Sequence, residues 1–211
     1  YPLFPSVLSG LHTDFKLSST GQIISLSDPA GNNIDVNNFA GMLPDNSRGR
    51  SPDGSGTWCL FGIPTPGASN DTSVCSSGYA VAPVFDLPAG FYSGSQNLSI
   101  SSGQAVHYTT DGSIPTENSP VYSSPVTIDT TMVIRARGFN APSMLPGETI
   151  TNTYFIDETF TVPVLSLNTD PENLWDWNNG IYVMGSDASP IIPFSGANFW
   201  KDWEKPAHVE Y

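Results

Sequence analysis

Positive charge is scarce in this sequence: seven lysine and arginine residues stand against 20 aspartate and glutamate residues, for a formal net charge of −13. A surface with this balance repels phosphate backbones and anionic membrane surfaces. We therefore exclude nucleic acids as partners and attribute the acidity first to solubility.

Long apolar runs are also absent, since no segment reaches the roughly 18 apolar residues that a transmembrane helix needs. The sequence therefore predicts no membrane insertion. No signal peptide is visible, and the chain starts at Tyr1 rather than at methionine. We expect it to be a processed or excised piece of a longer protein.

Cysteine is limited to Cys59 and Cys75. Neither lies in a CxxC pair or beside a basic cluster that would lower the pKa of a thiol. We predict a disulfide between them, which would close a short loop and indicate an oxidising, extracellular or cell-surface location. The alternative is two unrelated buried thiols.

Turn-forming residues are frequent, with 19 glycines and 19 prolines, and 38% of the residues are hydrophobic. Such a profile predicts many short strands joined by tight turns. The best-marked segment is 106–116, in which alternating strand residues run into Asp111-Gly112. We predict a chain reversal there with Gly112 at positive φ.

The same reasoning predicts several further elements. Strand candidates lie at residues 15–17, 23–26, 34–36, 57–61, 84–85, 98–100, 105–109, 126–128, 132–137, 151–156 and 162–167. A helix is predicted after Asp170, which is a suitable N-cap, with Pro171 at the first helical position.

The first part of the chain carries a family resemblance. Residues 11–18 and 26–31, the stretch from Arg50 to Trp58, and residues 64–70 resemble the second half of a bacterial lamin-tail domain. The resemblance implies an immunoglobulin-like β-sandwich. The first strands of that family should precede Leu11, so we expect a truncated domain.

The middle of the chain resembles the C-terminal domain of chitobiase and bacterial β-hexosaminidases. The residues that carry the likeness are 83–85, 88–92, 108–116, Tyr122, 134–137 and 153–154. This resemblance implies a small β-sandwich that serves as an accessory module, with catalysis elsewhere in the protein.

The last part, from Phe160 to Tyr211, resembles the opening of a spore-coat CotH-type domain, a family related to protein kinases. The resemblance implies that the phosphate-binding and metal-binding residues would lie after Tyr211. No kinase residue is therefore assigned in this chain.

Together these features predict a mostly β chain with tandem immunoglobulin-like β-sandwiches followed by a partial α+β segment. The expected division is a partial lamin-tail-like sandwich at 1–70, a linker at 71–82, a chitobiase C-terminal-like sandwich at 83–158 and a CotH-type fragment at 159–211.

Few residues have a pattern that indicates chemistry. His12, His107 and His208 fall in three different segments, and the glycines match neither phosphate-binding pattern. We predict no catalytic residue, no cofactor and no metal site. Weak calcium candidates are Asp170, Glu172, Asp176 and Asn178, although helix capping and solvation also explain them.

Four tryptophans crowd the last segment and are candidates for stacking on sugar rings: Trp175, Trp177, Trp200 and Trp203. The alternative is that they form a core or an interdomain contact.

The predicted function is a non-catalytic spacer, docking or adhesion segment of a larger secreted or cell-surface CotH-type protein. Its expected partners are the remaining domains of that parent and a cell-surface glycan or protein. One alternative is a carbohydrate-binding accessory module of a polysaccharide-degrading enzyme. Another is the N-terminal part of an atypical kinase.

Overall fold

The structure is a computed structural model that describes residues 16–18 and 20–211. His12 and most of the lamin-tail motif at 11–18 lie outside the described residues. The chain divides into two compact units, residues 1–73 and 74–211, which we describe separately. The described residues form 14 β-strands and one short α-helix, so the mostly β prediction is confirmed.

Among the described residues of the first unit, four strands form two antiparallel pairs. They are β1 (Gly21–Ser27) with β2 (Asn33–Ala40), and β3 (Ser47–Arg50) with β4 (Trp58–Phe61). The turn between β1 and β2 is built on Asp28, whose Oδ1 accepts from the backbone N–H groups of Ala30 and Asn32 at 2.9 and 2.8 Å. The strand predicted at 15–17 is wrong for Lys16 and Leu17, which lie outside any strand.

Cys59 lies on β4, where it is 1% exposed, and it is disulfide-bonded to Cys75. The predicted disulfide is confirmed. Because the bond closes a loop in the unfolded chain, it lowers the conformational entropy that folding has to overcome.

The second unit contains the remaining strands and the helix. Their bounds are β5 (Val84–Phe85), β6 (Gly90–Tyr92), β7 (Gln96–Leu98), β8 (Ile100–Ser101), β9 (Ala105–Thr109), β10 (Val126–Ile128), β11 (Met132–Phe139), β12 (Thr149–Ile156), β13 (Ser166–Asn168), α1 (Pro171–Trp175) and β14 (His208–Glu210). The main sheet has the order β6-β12-β11-β9, with β6 parallel to β12 and the other neighbours antiparallel.

The core lies between the main sheet and the smaller pairs β7–β10 and β5–β8. Alternate residues of the main sheet point into it, as strand geometry requires. Side chains from both layers are buried there: Leu98, Ile100, Val106, Ile128, Ile134, Ala136, Tyr154 and Ile156. This arrangement gives the two-layered, sandwich-like fold that the sequence predicts.

The opposite face of the main sheet is also covered by other residues of the chain. The sequence does not predict this, because threonines at alternate positions of β12 are typical of a solvent-exposed face. Thr151 and Thr153 are each 5% exposed and Arg135 is 8% exposed. The covering residues come from the last part of the chain: Thr153 Oγ1 lies 2.7 Å from Ser166 Oγ and accepts from Asn168 Nδ2 at 3.0 Å. The β13–β14 pair therefore packs on the sheet of the second unit.

The last segment confirms one local prediction and corrects another. The predicted strand at 162–167 begins only at Ser166, because the stretch around Pro163 is irregular. Helix α1 starts as predicted, with Pro171 at its first position and Asp170 Oδ1 accepting from Glu172 N at 3.0 Å. None of the helices in the described residues has the length and hydropathy needed to span a membrane.

Residues of the predicted linker at 71–82 make hydrogen bonds within the second unit. Ala80 N donates to Leu145 O at 2.8 Å, and Val81 N donates to Gln104 Oε1 at 2.8 Å. A glycine at position 138 permits this close approach, since a Cβ there would lie 2.2 Å from Val81 O.

Burial has a measurable consequence at Tyr154, where it raises the pKa of the hydroxyl to about 12. The folded chain therefore keeps a proton that the unfolded chain loses near pH 10. The stabilisation is complete below about pH 10 and is lost as pH rises towards about 12, by on the order of 2 kcal/mol. Unfolding titrations of wild type and Tyr154→Phe should show a shallower alkaline decline in the variant. Identical slopes would contradict the assignment.

Candidate functional site

The Thr-Asp-Gly turn after β9 is held from two sides. Gly112 has φ +84°, which confirms the prediction of a positive-φ glycine. Its carbonyl accepts from Arg135 Nη1 at 2.8 Å, and Arg135 Nε donates to Thr151 Oγ1 at 3.2 Å. From the other side, Asp170 Oδ2 accepts from Ile114 N at 3.0 Å. The turn is thereby fixed between the main sheet and the start of α1.

The charges around this turn are used structurally. Hydrogen bonds from the side chain and backbone of Ser113 hold the pKa of Asp111 below its usual range. Burial lowers the pKa of Arg135, and the charge of Asp170 opposes that shift. Asp111 is therefore ionised at neutral pH, while Arg135 ties the turn to the sheet.

A second polar cluster joins β12 to β13 and β14. The Glu210 carboxylate accepts from the backbone N–H and the hydroxyl of Thr153, and it accepts from Asn168 Nδ2 at 3.4 Å. His208 Nε2 lies 4.0 Å from Glu210 Oε1. These contacts anchor the last strand to the sheet.

The two histidines in the described residues lie in different places. His107 Nδ1 is 2.7 Å from Ser119 O and its ring packs edge-on against Phe139, whereas His208 lies beside Glu210. Within residues 16–18 and 20–211, no group of three or more His, Cys, Asp or Glu residues is placed to hold a metal ion.

Two of the four calcium candidates, Asp170 and Asp176, accept hydrogen bonds from backbone N–H groups. Asp170 accepts from Glu172 N and Ile114 N, as described above. Asp176 Oδ1 accepts from the backbone N–H groups of Asn178 and Asn179 at 2.9 and 2.8 Å. These contacts are those of a helix cap and of a turn.

The four candidate tryptophans do not form one platform. Trp203 is covered by Lys201 Nζ and Lys205 Nζ, which lie 4.6 and 5.3 Å from its ring. Trp200 Nε1 donates to Pro193 O at 2.8 Å. Trp177 is 56% exposed, and Trp175 is 61% exposed with its ring 5.6 Å from that of Tyr182. Trp175 therefore keeps an open aromatic surface.

Trp175 borders a groove of about 320 Å³ between the Thr-Asp-Gly turn and α1. The groove, which we call the turn–helix groove, is lined by Thr110, Asp111, Gly112, Val133, Leu167, Asn168, Thr169, Pro171, Leu174 and Trp175. The sequence marks both the turn and the helix start, but no local pattern places them side by side. Their proximity comes from the packing of the last segment on the sheet.

A larger groove of about 600 Å³ lies at the other end of β9. Its lining includes His107, Glu117 and Phe139. Phe139 is only 7% exposed, and the Nδ1 of His107 is engaged with Ser119 O. This groove therefore presents less free aromatic surface than the turn–helix groove.

Comparison with known proteins agrees with the fold of the second unit. Residues 87–151 match the family described as the chitobiase/beta-hexosaminidase C-terminal domain. The match falls within the range 83–158 that the sequence suggests for this domain, and it covers less than half of the chain. No curated protein and no solved structure matches the chain.

Proposed function

We propose that this chain is a non-catalytic docking segment of a larger secreted or cell-surface protein. The disulfide between Cys59 and Cys75 supports the extracellular setting, because such bonds persist in oxidising compartments. The family match of residues 87–151 supports an accessory role, since the matched description is that of a C-terminal domain of enzymes.

One observation carries the proposal. In the second unit, the buried or perturbed polar groups bind backbone and neighbouring side chains, while large aromatic side chains are exposed. Arg135 and Glu210 hold the turn and the last strand, whereas Trp175, Tyr182 and Trp200 are each more than 60% exposed. Exposed aromatic residues in this number favour contact with a partner over chemistry.

The proposal is tested by assaying purified residues 1–211 for ATP-dependent phosphorylation and for chitin-oligosaccharide hydrolysis. We expect neither activity above background. Turnover that disappears with a point substitution in the chain would contradict the proposal, because contaminating enzymes would not respond to that substitution.

Carbohydrate binding is a second candidate function, favoured by the exposed Trp175 in a groove whose other wall, the Thr-Asp-Gly turn, is polar. A glycan array on the complete chain separates it from protein docking. Saturable binding to a glycan class supports this candidate, and a blank array leaves protein docking as the proposed role.

The resemblances of residues 1–70 and 159–211 extend the proposal to the parent protein, which we infer to combine a lamin-tail domain with a CotH-type domain. In the atypical-kinase alternative, its catalytic residues lie after Tyr211. Sequencing the parent gene tests both, and a parent without CotH-type phosphate-binding and metal-binding residues would contradict them.

A further inference from the structure

The turn–helix groove brings an aromatic surface, apolar side chains and polar groups together. One wall is the Thr-Asp-Gly turn, the opposite wall is α1 with Trp175, and the floor includes Val133 and Leu167. Its volume of about 320 Å³ is at the lower end of the range for small-ligand sites. Both walls are held rigidly, because Asp170 caps the helix and also accepts from the backbone of the turn.

The aromatic wall can accept a flat apolar face. Trp175 is 61% exposed, and its contact with Tyr182, at 45° between the ring planes, supports the ring. Val133, Leu167 and Leu174 extend the apolar surface into the groove. A ligand with C–H groups on one face would be desolvated favourably here.

The polar wall offers hydrogen-bond acceptors to the same ligand. Asp111 Oδ1 is occupied by Ser113, whose backbone N–H and hydroxyl lie 3.0 and 2.6 Å away. Among the described residues, neither Asp111 Oδ2 nor Thr110 Oγ1 makes a protein hydrogen bond, and both residues are exposed. Hydroxyl donors of a ligand can therefore bind to Asp111 Oδ2 as charge-assisted partners.

The charge of Asp111 and the net charge of the chain limit the class of ligand that the groove can bind. Asp111 is the one charged side chain among the residues that line the groove, and the chain as a whole has a net charge of −13. Both repel an anion. The guanidinium of Arg135, which donates to the carbonyl of Gly112, is buried and does not line the groove, so the groove offers an anion no cationic partner. The charges therefore disfavour an anionic ligand, and the free carboxylate oxygen beside the exposed tryptophan ring suits an uncharged ligand with hydroxyl donors.

We propose that the turn–helix groove binds a neutral saccharide, with one sugar ring stacked on Trp175 and its hydroxyl groups donating to Asp111. The proposal rests on the carbohydrate-binding candidate and names its site and ligand class. It uses residues from both the matched range 87–151 and the segment that follows it.

The test is calorimetric titration of the complete chain with four hexasaccharides. Two are neutral, namely the β-1,4-linked hexamers of N-acetylglucosamine and of glucose. The third is the de-acetylated, cationic glucosamine hexamer, and the fourth is the anionic galacturonate hexamer. We expect saturable binding of at least one neutral hexamer and at least tenfold weaker binding of the anionic one.

Substitutions at two equally exposed tryptophans and at Asp111 test whether the saccharide binds in the turn–helix groove. Trp175→Ala should weaken binding of the neutral hexamer at least tenfold. Trp200→Ala, at an equally exposed position with 62% exposure, should change it less than twofold. Asp111→Asn keeps the Oδ1 acceptor for Ser113 and should weaken binding at least threefold through loss of the charge.

Three results would overturn the proposal. They are equal losses in Trp175→Ala and Trp200→Ala, binding of the cationic hexamer alone, and no binding of any hexamer at millimolar concentration. If the glycan array is positive but both groove variants bind as wild type, the site is wrong and carbohydrate binding stands. If the glycan array is also blank, the result contradicts both the carbohydrate-binding candidate and its proposed site.

Discussion

Replacing Tyr154 by alanine is expected to lower the free energy of unfolding of the second unit by about 3–5 kcal/mol, the cost typical of deleting a buried aromatic ring. The side chain is fully buried at the centre of the core. Its hydroxyl also donates to Leu87 O at 2.8 Å, which ties β12 to the segment before β6. Urea unfolding followed by tryptophan fluorescence measures the loss.

Tyr154→Phe is the control, because it removes the hydroxyl and keeps the ring. We expect it to cost about 1 kcal/mol, the net contribution of one intramolecular hydrogen bond. If the alanine variant were as stable as the phenylalanine variant, the ring would not be part of the core.

Gly138→Ala is expected to destabilise the second unit by about 1–3 kcal/mol, the usual cost of overpacking. The new Cβ would lie 2.2 Å from Val81 O, a backbone atom that cannot rotate away. Residues 80–81 would have to move away from β11, and the hydrogen bond from Ala80 N to Leu145 O would be lost.

Gly103→Ala provides the matched control for this substitution. A Cβ at Gly103 meets no atom within 4 Å, and the backbone there is not in the left-handed region. We expect that variant to be neutral or slightly stabilised, because alanine lowers the entropy of the unfolded chain. Equal melting temperatures for the two variants would show that residues 80–81 do not pack against Gly138.

Local patterns predict much of the second unit. Strands β9 and β10 coincide with the predicted ranges 105–109 and 126–128, because alternation and the Asp111-Gly112 turn specify them. The N-cap at Asp170 is predicted for a similar reason, since capping depends on residues within one turn of helix.

Long-range packing accounts for what the sequence misses. Thr149, Thr151 and Thr153 occupy alternate positions of β12, a pattern that indicates a solvated face. Thr151 and Thr153 are nevertheless buried, and Thr153 contacts Ser166 and Glu210 from later in the chain. For the same reason the four tryptophans appear equivalent in sequence. Only the folded structure distinguishes them, because two lysines cover Trp203 whereas Trp175 lies in the wall of the turn–helix groove.

The burial of both faces of β12 bears on where this domain ends. The matched range ends at residue 151, before Thr153 and Tyr154, which point to opposite faces of the sheet. A chain cut back to the matched range would lack part of the core and all of the cover formed by β13 and β14. The compact unit therefore includes residues 152–211 and is larger than the range that matches the family.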